Sequence, residues 1–348
     1  MRLTRRKFLL GTLAWGGGLL GPVPFSIATD RSPVGWPSYR KLALSGVLAA
    51  RVERAMQMFE NCRLCPRQCG VNRRNGELGF CRAAAAVMVY STHPHFGEER
   101  SLVGKGGSGT IFFSTCNLRC VFCQNWPIAH EGHGRSVADE RLAAMMLRLQ
   151  DIGCHNINLV TPTHVMPNIL NAVQIACRQG LRLPLVYNTS GYERLEMLKI
   201  LDGVIDIYLP DMKYMDADKA AQYSSGAADY PIVAQRAILE MHRQVGRHRL
   251  DRQGVARGGL MIRHLVMPNR VAGTQQFVRW VAENLPRNTY VNIMHQYHVD
   301  YKAFEYPEIW RAITAEEFLE AMNWAEECGL THLDPHSLKV RAFLERQK

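Results

Sequence analysis

From residue 109 onward, short stretches that are apolar throughout alternate with longer ones in which apolar residues return every three or four positions. The first pattern marks buried strands and the second marks helices with one buried face. Strands are predicted at 110–113, 156–161, 185–188, 204–209, 260–266 and 289–294. Helices are predicted at 136–152, 166–179, 193–201, 230–245, 274–285 and 314–328. Ser136 with Asp139, and Thr314 with Glu317, read as helix-opening caps. Gly180 reads as a stop. Six strand–helix units in succession imply a parallel sheet curled into a partial (β/α)6 barrel. Chemistry in such barrels belongs at the C-terminal ends of the strands.

Ahead of this repeat the pattern changes. Leu42, Leu44, Val47, Leu48, Val52, Met56 and Phe59 predict one amphipathic helix over residues 41–59. Residues 32–36 read as a linker. Residues 82–108 read as a connection, with a strand at 86–90 and a glycine-rich loop at 104–109. That loop lacks the Walker spacing and precedes a strand, so phosphate binding is not expected there. The N-terminus holds Arg2, Arg5, Arg6 and Lys7, then an apolar stretch over residues 8–25. Its glycines and prolines make it a poor membrane-spanning helix. Thr4 to Leu10 resembles a twin-arginine export signal, and Ser26 to Ala28 offers a small-x-small cleavage site. Export, to the periplasm or another extracytoplasmic space, is therefore expected. A retained N-terminal arm on a cytoplasmic protein is the alternative.

Composition adds little. The 348 residues are 47% hydrophobic and 21% charged, ordinary for a soluble globular chain. The net charge of +11 falls to 11 − 4 = +7 without the four N-terminal cations. That excess is not concentrated in one patch, so nucleic acid is not an expected partner.

The cysteines change the picture. Cys116, Cys120 and Cys123 follow the first barrel strand with spacing C-x3-C-x2-C. Three thiolates on one loop can hold three irons of a [4Fe–4S] cube and leave the fourth open to another ligand. A structural zinc site would want a fourth N or S ligand, and no His lies beside the loop. A second set, Cys62, Cys65, Cys69 and Cys81, has spacing C-x2-C-x3-C-x11-C. It admits tetrahedral zinc, a second iron–sulfur cluster, or two disulfides in an exported protein. Cys154, Cys177 and Cys328 sit in apolar helical surroundings and read as packing residues.

Cys116, Cys120, Phe122 and Cys123 together resemble the signature of the radical S-adenosylmethionine (SAM) superfamily. The resemblance implies a TIM-like partial barrel, a [4Fe–4S] cluster on the three cysteines, and SAM chelated at the open iron. It further implies reductive cleavage of SAM to a 5′-deoxyadenosyl radical that takes a hydrogen atom from a substrate. Phe122 would then pack near the adenine. Many family members carry Gly-Gly-Glu after the second strand. This chain has Thr161-Pro-Thr-His164 instead, which leaves Thr161 to contribute there. His164 reads equally well as a helix-start residue.

The Asp-x-Lys of Asp211 and Lys213 and the His-x-Val-x-Pro that begins at His264 resemble elements of glycyl-radical-enzyme activases. By that resemblance Asp211, Lys213 and His264 help hold SAM, and the superfamily resemblance adds Asn188 at the third strand end, where a capped helix start is the alternative. A plain Asp–Lys ion pair and a satisfied core histidine are the alternatives. His295, Gln296, Tyr297 and His298 stand near the last strand end as substrate-facing candidates. With the extra cysteine set, the chain looks most similar to the pyruvate formate-lyase-activating-enzyme-related family.

The implied division is a signal segment at 1–28, a linker and helix at 29–60, and a Cys-rich module at 61–108. The barrel follows at 109–330, with a tail at 331–348. The substrate is either a protein glycine or a small molecule or other peptide. The implied electron donor is flavodoxin- or ferredoxin-like. An exported iron–sulfur electron-transfer module that cleaves no SAM is the competing class.

Overall fold

The computed structural model describes residues 37–347. The signal-type segment at 1–28 and the linker at 32–36 lie outside the described residues. The described chain opens with α1 (Ser38–Leu44) and α2 (Val47–Gln57), where the pattern predicts a single helix. Gly46 separates them with φ +77°, a left-handed conformation that glycine adopts without steric cost. The Cys-rich module follows as a series of turns around a short 3-10 helix, Arg73–Asn75.

Next come β1 (Val87–His95), α3 (Arg100–Val103), β2 (Ser108–Phe113), α4 (Trp126–Ala129) and β3 (Arg135–Val137). Ser136, expected to cap a helix, instead lies in β3 and pairs with Met88 of β1. The helix α5 (Asp139–Asp151) starts behind Ala138. Asp139 accepts from the Asn168 and Asn171 amides rather than from Ser136.

The repeat then runs β4 (Ile157–Val160), α6 (Met166–Arg178), β5 (Leu185–Thr189), α7 (Leu195–Leu201) and β6 (Ile207–Pro210). It continues with α8 (Ala217–Tyr223), α9 (Tyr230–Val245), β7 (Arg249–Leu250), β8 (Ala256–Leu265), α10 (Thr274–Asn284) and β9 (Tyr290–Met294). Thr314 and Glu317 form the expected capping box on α11 (Ala315–Glu327). The stretch read as a tail holds a further helix, α12 (Pro335–Glu345).

The strands β2, β4, β5, β6, β8 and β9 pair in parallel and in chain order. β1 adds antiparallel to β2, β3 to β1, and β7 to β8. Among the described strands β9 pairs with β8 and not with β2. The fold is therefore a partial, open (β/α)6 barrel. The helices hold it by their apolar faces. On α6, Met166, Ile169, Leu170 and Val173 recur at helical spacing and are buried, each worth about 2 kcal/mol when removed from water. No described helix is long and apolar enough to cross a membrane.

Candidate functional site

The chain leaves β2 at its C-terminal end and enters the loop that carries Cys116, Cys120 and Cys123. Thr115 and Arg119 sit at φ +71° and +55°, unusual for a β-branched residue in the first case. Local bonds hold this shape. The Thr115 amide donates to the Ile128 carbonyl at 2.9 Å, and the Val121 amide to the Tyr223 carbonyl at 2.9 Å. The Lys302 amide donates to the Val121 carbonyl at 2.9 Å. Ser224 Oγ donates to Cys120 Sγ at 3.1 Å.

The three cysteines and Phe122 line one cavity of about 300 Å³. Burial pushes the Cys120 thiol up to about 11 and the Cys123 thiol up to about 12. Thiolates at these positions call for a cation beside them, which irons would supply. Phe122 packs edge-on to Tyr214.

The opposite wall comes from the strand ends. Thr161, Asn188, Asp211 and Lys213 all line the same cavity. Thr161 sits at φ +59°, and its amide donates to the Asn188 carbonyl at 2.9 Å. A β-branched residue held there stores about 1–3 kcal/mol of strain. Gly191, at φ +80°, lets the loop after β5 press onto the end of β6. A Cβ at this position would meet the Asp211 carbonyl oxygen at 2.4 Å.

Lys213 Nζ donates to Asp211 Oδ2 at 2.7 Å. Arg263 Nε donates to Asp211 Oδ1 at 2.8 Å, and Arg263 Nη2 to Asn188 Oδ1 at 2.6 Å. Burial alone would push the Asp211 carboxyl up. Arg263 and Lys213 overcome that and hold it below the ordinary carboxylate range. Burial likewise opposes the charge on Lys213, but Asp211 and Cys120 keep its pKa above the ordinary lysine value.

Arg263 was not singled out by the sequence reading, whereas its neighbour His264 was. Strand alternation separates them. Arg263 and Leu265 line the cavity. His264 turns the other way and contacts the Met212 carbonyl through Nδ1 at 2.6 Å and Thr274 Oγ1 through Nε2 at 2.9 Å. It stacks on Phe277 with centroids 4.2 Å apart. It is thus a core residue and not a cavity residue.

His164 is also buried, with Nε2 at 2.9 Å from Thr115 Oγ1 and 2.8 Å from the Ser114 carbonyl. It braces the cluster loop from behind. Tyr297 is buried and donates to the Ile309 carbonyl, and His298 is exposed. Gln296 does face the cavity.

Two further residues escaped the sequence reading. The Tyr230 hydroxyl accepts from the Lys213 amide at 2.9 Å and lies 2.8 Å from the Ser190 carbonyl. Glu193 is buried among the hydroxyls of Thr163, Thr189 and Tyr187. Burial pushes its carboxyl up to about 7 against those hydrogen bonds.

The cavity suits a polar cofactor. Ser190 Oγ and Arg119 Nη1 are buried without a hydrogen-bond partner among the described residues, and both residues line it. Orphaned donors of this kind are what a bound ligand satisfies. His130 approaches the loop but its Nε2 meets the Cys120 carbonyl at 3.0 Å rather than a thiol, so the three thiols match an iron–sulfur donor set better than a zinc one. Among the described residues no three His, Cys, Asp or Glu side chains converge as a single metal ion requires. A cube presents a separate iron to each thiolate, so its ligands need not meet at one point.

The second cysteine set is gathered as well. Cys62, Cys65 and Cys81 are buried and Cys69 is exposed. Cys65 feels the charges of Cys81 and Cys62, and Cys81 those of Cys62 and Cys69. None of the ten cysteines is joined in a disulfide in this structure. Arg67, between Cys65 and Cys69, ties this module to the cluster loop. Its Nε donates to the Asn117 carbonyl at 3.2 Å and its Nη2 to the Ser224 carbonyl at 3.0 Å.

The model of the radical SAM superfamily matches residues 110–221. The chain is 34% identical over 295 residues to uncharacterized protein MJ0674 of Methanocaldococcus jannaschii, covering 82% of this chain and 80% of that protein. It is 25% identical over 299 residues to uncharacterized protein MJ0808 of the same organism, covering 78% and 79%. Residues 110–221 of the chain thus belong to the radical SAM superfamily. Among solved structures, SuiB of Streptococcus suis bound to S-adenosylmethionine aligns with TM-score 0.43 and 14% identity. That alignment covers 61% of this chain but only 45% of SuiB. A structure of TYW1 with a lysine–pyruvate adduct bound aligns with TM-score 0.39 and 10% identity, over 63% and 73% of the two chains.

Proposed function

We propose that this protein is a radical SAM enzyme whose [4Fe–4S] cluster is held by Cys116, Cys120 and Cys123. The observation that carries the reading is that these three thiols share one cavity with the polar strand ends of a radical SAM barrel. When bound, the cluster and SAM would supply a 5′-deoxyadenosyl radical able to take a hydrogen atom from carbon. The chain's own residues bind, orient and shield. Thr161, Asn188 and Ser190 offer polar atoms to SAM, and Phe122 offers an aromatic wall for its adenine. Lys213, pinned by Asp211, offers a fixed positive charge to SAM's carboxylate. Arg263 fixes both Asp211 and Asn188 from behind. Cys120, Phe122, Asn188 and Thr189 give the cavity a buried inner wall, where a carbon radical would be shielded from water.

The activase likeness supports hydrogen abstraction from carbon. The four-thiol module, which short activases lack, favours a substrate other than a protein glycine. That module is proposed to hold a second iron–sulfur cluster or zinc. The electron is proposed to come from a flavodoxin- or ferredoxin-like donor, and the N-terminal segment to direct export. The test is anaerobic reconstitution with iron and sulfide, followed by SAM and dithionite. The reading expects 5′-deoxyadenosine. A fully loaded cluster that yields none, and a protein that binds no SAM by calorimetry, would favour the pure electron-transfer class.

A further inference from the structure

A second cavity, of about 480 Å³, opens beside the first. Arg263, Met294 and Gln296 line both, so the two spaces meet at the Arg263 guanidinium. The second cavity lies between the segment after β1, the C-terminal end of β9 and the start of α12, at the open side of the barrel. Phe96, 63% exposed, stands at its mouth.

Its inner wall sets Glu98 and Glu99 beside Arg263. Glu98 Oε2 lies 3.6 Å from Arg263 Nη1, and Glu98 Oε1 lies 3.5 Å from His95 Nδ1. Both oxygens of Glu98 therefore have cationic or donor neighbours. Glu99 is different. It is 6% exposed, and its Oε1 accepts from Asn292 Nδ2 at 3.0 Å. Its Oε2 is buried with no hydrogen-bond partner among the described residues.

Arg263 acts on Glu99 through its charge, but no neighbouring group gives that oxygen a hydrogen bond among the described residues. Asp334 accepts from Tyr290 and the His336 amide. Arg100 and Lys339 are exposed at the rim. Burial pushes the Glu99 carboxyl up against the pull of Arg263, and a buried carboxylate oxygen left without a donor costs several kcal/mol of lost hydration. An ammonium group supplies the missing hydrogen bond and a charge that favours the ionised carboxylate.

We propose that this chamber is the substrate site and that it takes a small molecule through a protonated primary amine held on Glu99. The proposal rests on the reading of the adjoining cavity as the place where hydrogen abstraction begins. Arg263 closes the chamber's inner end, so the anchored amine sets how far a carbon of the ligand reaches toward the thiol-lined cavity.

The probes are 1,4-diaminobutane and the near-isosteric 1,4-butanediol, titrated calorimetrically into anaerobic, cluster-loaded protein. The diamine is expected to bind at least about tenfold tighter than the diol, as a charge-assisted bond requires. Glu99→Gln is expected to abolish that preference, with its fold checked by thermal melting. Should that variant fail to fold, contacts in the wild type decide. Intermolecular NOEs from the diamine methylenes to the Phe96 ring, assigned by their loss in Phe96→Ala, place the probe in the chamber. Equal binding of diol and diamine, no binding of either, an unchanged preference in folded Glu99→Gln, or absence of the Phe96 NOEs would each overturn the proposal. Formation of 5′-deoxyadenosine without diamine binding defeats this inference alone. Diamine binding with a loaded cluster that makes no 5′-deoxyadenosine defeats the functional reading alone.

Discussion

Arg263 Nε donates to Asp211 Oδ1 at 2.8 Å, across the adjoining ends of β8 and β6. Lys213 holds the other carboxylate oxygen at 2.7 Å. One mostly buried carboxylate thus pairs with two cations at the wall of the thiol-lined cavity, and Glu98, 3.6 Å from Arg263, supplies a second negative charge. Asp211→Asn leaves Lys213 without its carboxylate partner and Arg263 with Glu98 as its remaining close one. The expected loss is about 3 kcal/mol of folding stability, seen as a lower denaturant midpoint. SAM affinity should fall as well, because Lys213 loses its fixed position. A variant that keeps both would show that the triad is not the support described here.

Thr161 carries backbone strain at φ +59°. Glycine relieves it, so Thr161→Gly should raise stability by about 1 kcal/mol. The same change removes the hydroxyl that faces the cavity and should weaken SAM binding measured by calorimetry. Stability and binding moving in opposite directions is the signature of strain kept for function.

Glu193 gives a pH dependence with a definite sign. Its folded carboxyl titrates at about 7, above the ordinary 4.5, because of burial. The folded state therefore binds the proton more tightly than the unfolded state. Its contribution is fully present below about pH 4.5 and is lost as pH rises through about 7. Asp206, pushed by burial up to about 6, acts in the same direction. The buried histidines His164, His248 and His264, each held down at about 4 by burial, act in the opposite direction. The Glu193 share is therefore read as a difference: from pH 5 to 8 wild type should lose up to a few kcal/mol of stability relative to Glu193→Gln, and an unchanged difference would contradict the assignment.

The four-thiol module should hold metal independently of the cluster loop. In the double variant Cys65→Ser with Cys81→Ser, metal per chain should drop. The visible absorbance assigned to the Cys116, Cys120 and Cys123 cluster should remain. Comparison of iron, zinc and sulfide counts between wild type and this variant identifies which metal is held. Equal counts in the two proteins would exclude a metal role for the module.

Much of the fold was legible because helices and strands bury one face at fixed periods. The helix Tyr230–Val245 and the capping box at Thr314 and Glu317 follow directly from that rule. Ser136 misled because a cap signature says nothing of a competing strand, and β1 takes that residue as a sheet partner. The helix α12 was legible in principle. Asp334 accepts from the His336 and Ser337 amides and Pro335 occupies the first turn, which is a helix-start signal. The site was half-visible. The three cysteines and the Asp211–Lys213 pair are local in sequence. Arg263 and Glu99 matter through partners 52 and 193 residues away, and no local pattern announces such contacts. The choice of His264 over Arg263 failed for want of a rule on which side of β8 faces inward.

The most direct test of the whole account is 5′-deoxyadenosine formation by anaerobically reconstituted protein given SAM and dithionite, wild type against Cys120→Ala. The account predicts product from the wild type and none from the variant. Equal output from the two, or none from wild type with a full iron and sulfide complement, would contradict it.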